Sequence, residues 1–297
     1  MSLLLGRLIF LLLLFCVTLP AAAQTEAQRR ALLPKDCDGT SSLFFLDGRL
    51  WTCNDHGALR LYALDTVTGH VDSVVDLGVR VYDLEEVTQD DSYLFFGDFG
   101  DNKGVRDDLR ILRLAKGDLR RGRYRFDTIA FNYPDRGKEN RRDFDCEAFV
   151  ASGDSLYLFT KQWLSQGTVC YSLPKRPGRH TAHRRFSVTS RGLVTAACLL
   201  PQPHDPTACD LILLGYTLTV RPFVLFISGF SSATAPHATS HPAKTVTARR
   251  CQLANAMGTQ TEALATLDGH HFFLTNEALS IAFVSRRAAL LTLDLDP

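Results

Sequence analysis

The chain is predicted to be an all-β protein, a five-bladed β-propeller, and three observations predict it. Its apolar segments are short, rich in Phe, Tyr, Leu and Val, and separated by Asp-Gly, Gly-Asp or Pro-bearing turns, with no sustained helical period. Four strand-turn-strand segments can be laid over one another: LFFLDGRLWTCND from Leu43, EVTQDDSYLFFGD from Glu86, EAFVASGDSLYLFTK from Glu147 and EALATLDGHHFFLTN from Glu262, with a weaker fifth copy between Gly192 and Tyr216. Their second strands end at Asn54, Asp98, Lys161, Tyr216 and Asn276, at intervals of 44, 63, 55 and 60 residues, which is the spacing of four-stranded blades. A six-bladed ring is the alternative count.

At the N-terminus, Arg7 precedes an apolar run from Leu8 to Val17, then Pro20 and three alanines, Ala21 to Ala23. This is the pattern of a signal peptide over 1–23. The run of ten residues is about half the roughly 20 that cross a bilayer, so no membrane span is expected. Bulky Leu14 and Phe15 in front of Cys16 argue against lipid attachment. Residues 24–297 then form a single propeller domain, exported to the periplasm, cell surface or exterior.

The next element is a strand at Arg30 to Lys35. Third strands are predicted at Leu59–Asp65, Leu109–Leu114, Thr168–Leu173, Pro222–Ser228 and Ala288–Leu295, with fourth strands at HVDSVVDL, RYRFDTIAF, HRRFSVT and KTVTARRC. The last repeat has no fourth strand before Pro297. The Arg30–Lys35 strand is therefore placed there, closing the ring and hiding two sheet edges. PDRGKENRRDFD and GFSSATAPHATSHPAK are irregular connections, and His237 and His241 in the second are read as surface residues.

The chain carries 33 basic and 32 acidic residues, and removing Arg7 with the leader makes the two equal. Phosphate binding needs a surplus of Lys and Arg, so nucleic acid is not an expected partner. Eight cysteines, with Cys16 in the leader, leave an odd number and at least one free thiol. None has C-x-x-C spacing; a bridge between Cys198 and Cys209, on neighbouring strands of the fourth hairpin, is one expectation. A G-x-S-x-G elbow and a phosphate-cradling Gly-rich loop are both absent from the sequence.

In a blade, the start of the first strand and the end of the second meet on one face of the ring. Glu86 is thus expected beside Asp98, Glu147 beside Lys161, and Glu262 beside Asn276 or Glu277, with Asn54 and Asp55 at the same level. Like charges gathered at one channel mouth need a cation or hydrogen bonds to compensate them. Calcium suits oxygen donors in irregular geometry, and the candidate ligands are Glu86, Glu147 and Glu262 with Asp98, Asp101 and Asn102 of the loop GDFGDN. The competing reading is structural: Lys161 and nearby arginines pair with the glutamates while Asp and Asn cap turns. Trp51, Trp163 and Tyr82 are rim aromatics able to stack on a sugar, Trp51 being read as core.

At WTCNDHGALRLYALD, FFGDFGDNKGVRDDLRILRL, DCEAFVASGDSLYLFTK and TEALATLDG the chain resembles a group of exported bacterial β-propeller proteins common in Bacteroidota, whose pattern is N-D-S-G before L-Y-A-L-D, then G-D-x-G-D-N, then D-x-E-A. It departs from that pattern at His56, where Ser is usual, and at Gly192-Leu193, where the fourth blade lacks an acidic residue. A more distant likeness, to gluconolactonase-type and esterase-like phytase propellers, implies calcium and small polar substrates at the level of fold alone. Two functions follow as expectations. One is a monomeric binding or scaffold propeller presenting a carboxylate-lined channel to calcium, a glycan, a protein or a small polar ligand. The other is a metal-dependent hydrolase of lactone or phosphoester type. The sequence places no distinct acid or base beside the carboxylates, which favours binding over catalysis.

Overall fold

A computed structural model describes residues 24–202, 205–230, 246–281 and 284–295. The predicted signal peptide and the histidines His237 and His241 lie outside the described residues. The described chain is nearly all β. It opens with β1 (Gln24–Leu32) and continues through β2 (Thr40–Leu46), β3 (Arg49–Asn54), β4 (Gly57–Leu64) and β5 (Val71–Val81). A second group is β6 (Leu84–Gln89), β7 (Tyr93–Asp98), β8 (Arg110–Ala115) and β9 (Phe126–Asn132). The third is β10 (Asp145–Ser152), β11 (Ser155–Lys161), β12 (Thr168–Pro174), β13 (Gly178–Thr181) and β14 (His183–Val188). The fourth is β15 (Leu193–Gln202), β16 (Asp205–Tyr216), β17 (Pro222–Ser228) and β18 (Thr247–Ala254). The last is β19 (Thr261–Thr266), β20 (His271–Asn276), a short hairpin of β21 (Leu279–Ile281) and β22 (Val284–Arg286), and β23 (Ala289–Asp294).

Each group is an antiparallel meander: β2-β3-β4-β5, β6-β7-β8-β9 and β10-β11-β12-β14. The fourth and fifth merge in one sheet ordered β15-β16-β17-β18-β1-β23-β20-β19, because β1 runs parallel to β18 at one end and antiparallel to β23 at the other. The first strands of the groups lie beside one another in sequence: β2 next to β6, β6 to β10, β10 to β15, β15 to β19, and β19 back to β2. The N-terminal strand pairs with Ala289–Leu293, from Ala27 opposite Leu293 to Leu32 opposite Ala289. It therefore starts before the Arg30–Lys35 segment expected from sequence and stops before Leu33, where Pro34 ends the ladder by lacking an N–H. Three short strands were not anticipated: the hairpin pair β21 and β22, and β13, which leaves the third group and adds to the second, parallel to β9.

The apolar cores lie between adjacent groups. Phe95, Phe99, Ile111 and Phe131 of the second group pack with Phe149, Leu158 and Tyr171 of the third, all fully buried or nearly so. Phe159 of the third packs with Leu213, Phe223 and Phe230 of the fourth. Because side chains alternate across a strand, one face of a sheet meets the previous group and the other the next. That two-sided burial explains the near-continuous apolar runs such as YLFFG and LILLG.

All five first strands share one irregularity. The register shifts between Thr40 and Ser42, Leu84 and Glu86, Cys146 and Ala148, Val194 and Ala196, and Thr261 and Ala263. Ser41, Glu85, Glu147, Thr195 and Glu262 are therefore the extra, unpaired residues of five equivalent β-bulges. A bulge re-aims the side chain it carries.

The acidic candidate site

Three of the bulged residues, Glu85, Glu147 and Glu262, line a cavity of about 170 Å3 together with Asp55, Asp83, Asn102, Lys161, Trp163, Tyr216, Gln260 and Glu277. The second-strand ends supply the facing wall. Asp55, Lys161, Tyr216 and Glu277 are each the residue just past the position opposite the bulge, at equivalent places in four of the five groups. The second group has Phe99 there, turned into the core, and Asn102 from the following loop faces the cavity instead.

Six carboxyl groups and one lysine line this space. Lys161, 4% exposed, donates to Glu147 Oε1 at 2.8 Å, and its Nζ stands 5.1 Å from the Trp163 ring and 5.5 Å from the Tyr216 ring. Burial alone would lower the Lys161 pKa, but Glu147, Tyr216, Glu262 and Asp145 outweigh it and raise it above its ordinary value. Behind the wall, Asp145 accepts from Trp163 Nε1 at 2.8 Å and from the Asp101 N–H at 2.6 Å. Gln260 Nε2 donates to the Tyr216 hydroxyl at 3.2 Å.

One ammonium cannot satisfy these acids, so most of them are pushed toward the neutral form. Burial, then Glu147, Asp83 and Asp145, hold the Glu85 carboxyl well above the usual carboxylate range. Burial and Asp145 push Asp83 up to about 6. Burial carries Glu262 to about 7 against the pull of Lys161, and burial with Glu262 and Asp55 carries Glu277 to about 8. Glu147 is also raised by burial, less its attraction to Lys161.

The loop GDFGDN is the scaffold of this wall. Gly100 admits no side chain, because a Cβ there would lie 2.0 Å from Glu85 Oε1 and 2.6 Å from the Asp83 carboxyl. Its N–H donates to the Asp83 carbonyl at 3.0 Å, so the backbone presses directly on the paired acids. Asp98 is fully buried: Oδ1 accepts from the Tyr82 and Asp83 N–H groups at 3.1 and 3.0 Å and from Arg106 at 3.2 Å, and Oδ2 accepts from Arg110 at 2.8 Å. Asp101 accepts from the Val105 and Arg106 N–H groups at 2.7 and 3.1 Å and pairs with Arg136.

The sequence-derived site is therefore corrected at several positions. Glu147, Glu262, Asn102, Asp55, Lys161 and Glu277 do meet in the cavity. Asp98 and Asp101 do not: arginines and loop N–H groups occupy their carboxylates. Glu86 is displaced by the bulge, which puts Glu85 where Glu86 was expected and sends Glu86 to a second cavity. Asn54 and Asn276 lie behind the wall, their Nδ2 groups tying the carbonyls of Asp36 at 2.7 Å, and of Glu277 and Arg287 at 2.9 and 3.1 Å. Asp83 and Glu85 were missed, although aligning Glu85-Glu86-Val87 with Glu147-Ala148-Phe149 and Glu262-Ala263-Leu264 exposes the correct register.

The oxygen donors suit a hard cation in kind, yet the six proposed calcium ligands do not assemble. Among the described residues no group of three or more His, Cys, Asp or Glu is disposed to hold a metal ion. The Cys198–Cys209 bridge is not formed either: Cys198 carries a free thiol and lies opposite Ile212, whereas Cys209 lies opposite Pro201. Several arginines of the second group have acidic partners: Arg113 pairs with Asp127, Arg120 with Asp47 and Arg121 with Asp118. Trp51 is half-buried against the first core and donates to the Leu46 carbonyl at 3.2 Å.

No family model matches the chain, and no curated protein matches its sequence. Solved structures do resemble its fold. They include a Kuenenia stuttgartiensis hydrazine synthase chain (14% identity, 89% of this chain and 65% of that one, TM-score 0.41). A PQQ-bound aldose sugar dehydrogenase from Streptomyces coelicolor is similar at 11% identity, over 92% of this chain and 98% of that one, with a TM-score of 0.45. The WD40 β-propeller domain of Doa1 is similar at 12% identity, over 84% and 66%, with a TM-score of 0.37. This chain spans about two thirds of the length of the first and last of these. At such identities the likeness concerns strand architecture, with β-propellers among the neighbours, and says nothing of activity. Among the described residues no helix is long and apolar enough to cross a membrane.

Proposed function

We infer that the five strand groups are the blades of one propeller, closed by β1 between β18 and β23, and that the chain is an exported binding protein whose acidic cavity takes a small organic cation. The cyclic adjacency of β2, β6, β10, β15 and β19 supports five blades over six. Export rests on the leader pattern in residues 1–23. The observation that carries the binding reading is the imbalance of charge: six carboxyl groups face the cavity, and its single ammonium is already engaged by Glu147. A bound cation would let the carboxyls that lack a cationic partner ionise; the Trp163 and Tyr216 ring faces are already taken by the Lys161 ammonium. The volume admits an aliphatic diamine, and the tied-up state of Asp98 and Asp101 favours such a ligand over calcium.

The test is calorimetric titration of the full chain with 1,4-diaminobutane and, separately, calcium chloride. The expected result is binding of the diamine, a raised melting temperature in its presence, and at least a tenfold loss of affinity in Glu262→Gln. Binding of calcium alone would favour the metal, and binding of neither would leave the acids a structural role.

A second reading, hydrolysis, is favoured by one observation. Glu262 near 7 and Asp83 near 6 are carboxyls able to hold and release a proton around neutral pH, as a general acid or base must. Turnover of a lactone or phosphoester that disappears in Glu262→Gln would establish it.

A further inference from the structure

A second cavity, of about 300 Å3, lies farther along the same first strands, toward their turn ends. Its lining combines aliphatic and aromatic side chains, Phe45, Leu199 and Leu264 among them, with the polar Thr88, Gln89 and Thr266, and among the described lining residues Glu86 alone bears a carboxyl while none bears a cationic side chain. At the equivalent place after the bulge the other first strands carry Ser42, Ala148, Ala196 and Ala263. Glu86 is thus a carboxyl inserted where the fold otherwise requires only a small residue. It is 2% exposed.

Its two oxygens are treated differently. Oε1 accepts from the Val87 N–H at 2.9 Å. Oε2 is buried without any partner. Burial holds the carboxyl well above its usual range, against the pull of the backbone N–H groups of Val87 and Ala197, which favour the ionised form. What is missing is a positive donor at Oε2. Among the buried side-chain atoms without a partner, Glu86 Oε2 is the one carboxyl oxygen; such an atom calls for an account, and a ligand supplies one.

We propose that this second cavity binds a primary amine with a short apolar body, the ammonium donating to Oε2 of Glu86 and the hydrocarbon lying against the aliphatic wall. A single acidic group, with no cationic side chain beside it in the cavity, selects a ligand of the opposite sign whose body lies against the aliphatic part of the wall. The volume is about twice the roughly 150 Å3 that holds benzene in an engineered cavity, which sets the body at about six to eight carbons. This site is separate from the acidic cavity and does not depend on the reading of that cavity.

The experiment compares hexylamine with hexan-1-ol by calorimetry on the full chain. Hexylamine is expected to bind at least tenfold more tightly, about 1.4 kcal/mol. Glu86→Gln keeps the volume and an acceptor for the Val87 N–H, and should bring the two ligands within about twofold while leaving the alcohol unchanged. Leu199→Trp, at a half-buried wall position, should weaken hexylamine at least tenfold without touching the carboxyl, and it carries the test if Glu86→Gln fails to fold. Glu262→Gln should leave the amine–alcohol gap intact. Equal affinity for amine and alcohol, or no binding of either, overturns the proposal. So does a gap that closes in Glu262→Gln but survives Glu86→Gln, since the amine would then occupy the acidic cavity.

Discussion

Asp98 at the end of β7 and Asp83 in the turn before β6 are direct neighbours, the Asp83 N–H donating to Asp98 Oδ1 at 3.0 Å, yet their carboxyl groups live in opposite electrostatic regimes. Around Asp98 and Asp101 every carboxylate oxygen is matched: Arg106, Arg110 and Arg136 supply the charge, and four loop N–H groups supply the rest. Around Asp83, Glu85, Glu262 and Glu277 the cavity holds one lysine, already committed to Glu147, and Arg106, which draws on Asp83, is paired to Asp98 and Asp108. The first region is complete in itself and holds a loop in place. The second is complete only with protons or with a cation from outside. Residue type does not distinguish a structural acid from a functional one here; the presence of a partner inside the chain does.

The largest effect that sharpens this contrast is expected at Asp98. Asp98→Asn leaves Arg106 and Arg110 facing an uncharged group in a dry site, and breaking a buried pair in this way costs about 3–5 kcal/mol. For a chain of this size that is a fall in melting temperature on the order of 10 °C. Glu277→Gln, by contrast, removes an acid that has no cation, and at pH 8 it should leave the melting temperature unchanged or raise it. If both substitutions destabilise alike, the two regions are the same kind of structure and the comparison fails.

Gly100→Ala is expected to be next in size. The new methyl would overlap Glu85 and Asp83, and neither side chain can retreat without losing its place in the wall. Overpacking of this kind costs about 1–3 kcal/mol. Ligand binding in the acidic cavity should fall with it. A variant as stable as the parent would show that the acids rearrange freely, which melting curves and the diamine titration together would reveal.

Much of this was legible in the sequence, for definable reasons. The alternation and turn chemistry of Leu43–Asp55 and Glu147–Lys161 report strand pairing directly, because each hairpin is local and its turn sets its register. What the sequence conceals is the bulge. A one-residue shift sends every following side chain to the other face, and in LEEV two adjacent glutamates offer both registers at once. The choice of Glu86 over Glu85 exchanged one cavity for the other. The arginines that occupy Asp98 and Asp101 lie 5 to 35 residues away, across loops whose course no periodicity encodes. Apparent ligands thus turned out to be loop anchors.

A smaller effect follows from pH. Asp83, Glu262 and Glu277 are raised from 3.8 or 4.5 to about 6, 7 and 8 in the folded protein. Between the unfolded and folded values the native state binds more protons than the unfolded one, so stability is greatest below about pH 4.5, so far as these groups are concerned, and is lost as pH rises toward 8. The melting temperature of the ligand-free protein should therefore decline by several degrees from pH 5 to pH 8.5. Added 1,4-diaminobutane should reverse the decline, because a cation takes the place of the missing protons. A flat profile in Asp98→Asn would be beside the point, since that aspartate belongs to the matched region; a flat profile in the parent would mean that the acids of the cavity ionise freely.

The smallest effect is expected where charge is paired but exposed. Arg120 and Asp47 form a fork at 2.6 and 3.0 Å between the second and first groups, with 54% of each side chain accessible. Its geometry is as good as that of Arg110 on Asp98, so the two pairs differ chiefly in solvent. Water already solvates both ends of the exposed pair, and fixing two long side chains opposes the attraction, so such pairs contribute little. Asp47→Asn, which keeps a residue type suited to the positive φ of 49° at this position, Arg120→Ala and the double substitution should each move the melting temperature by less than about 2 °C, and that movement should shrink further in molar salt, where exposed charges are screened within about 3 Å. If the exposed fork proved as costly to break as Asp98, bond geometry rather than burial would be what separates the regions. The unmatched acids of the cavity would then lose their claim to be a binding site, because exposure to water alone could satisfy them.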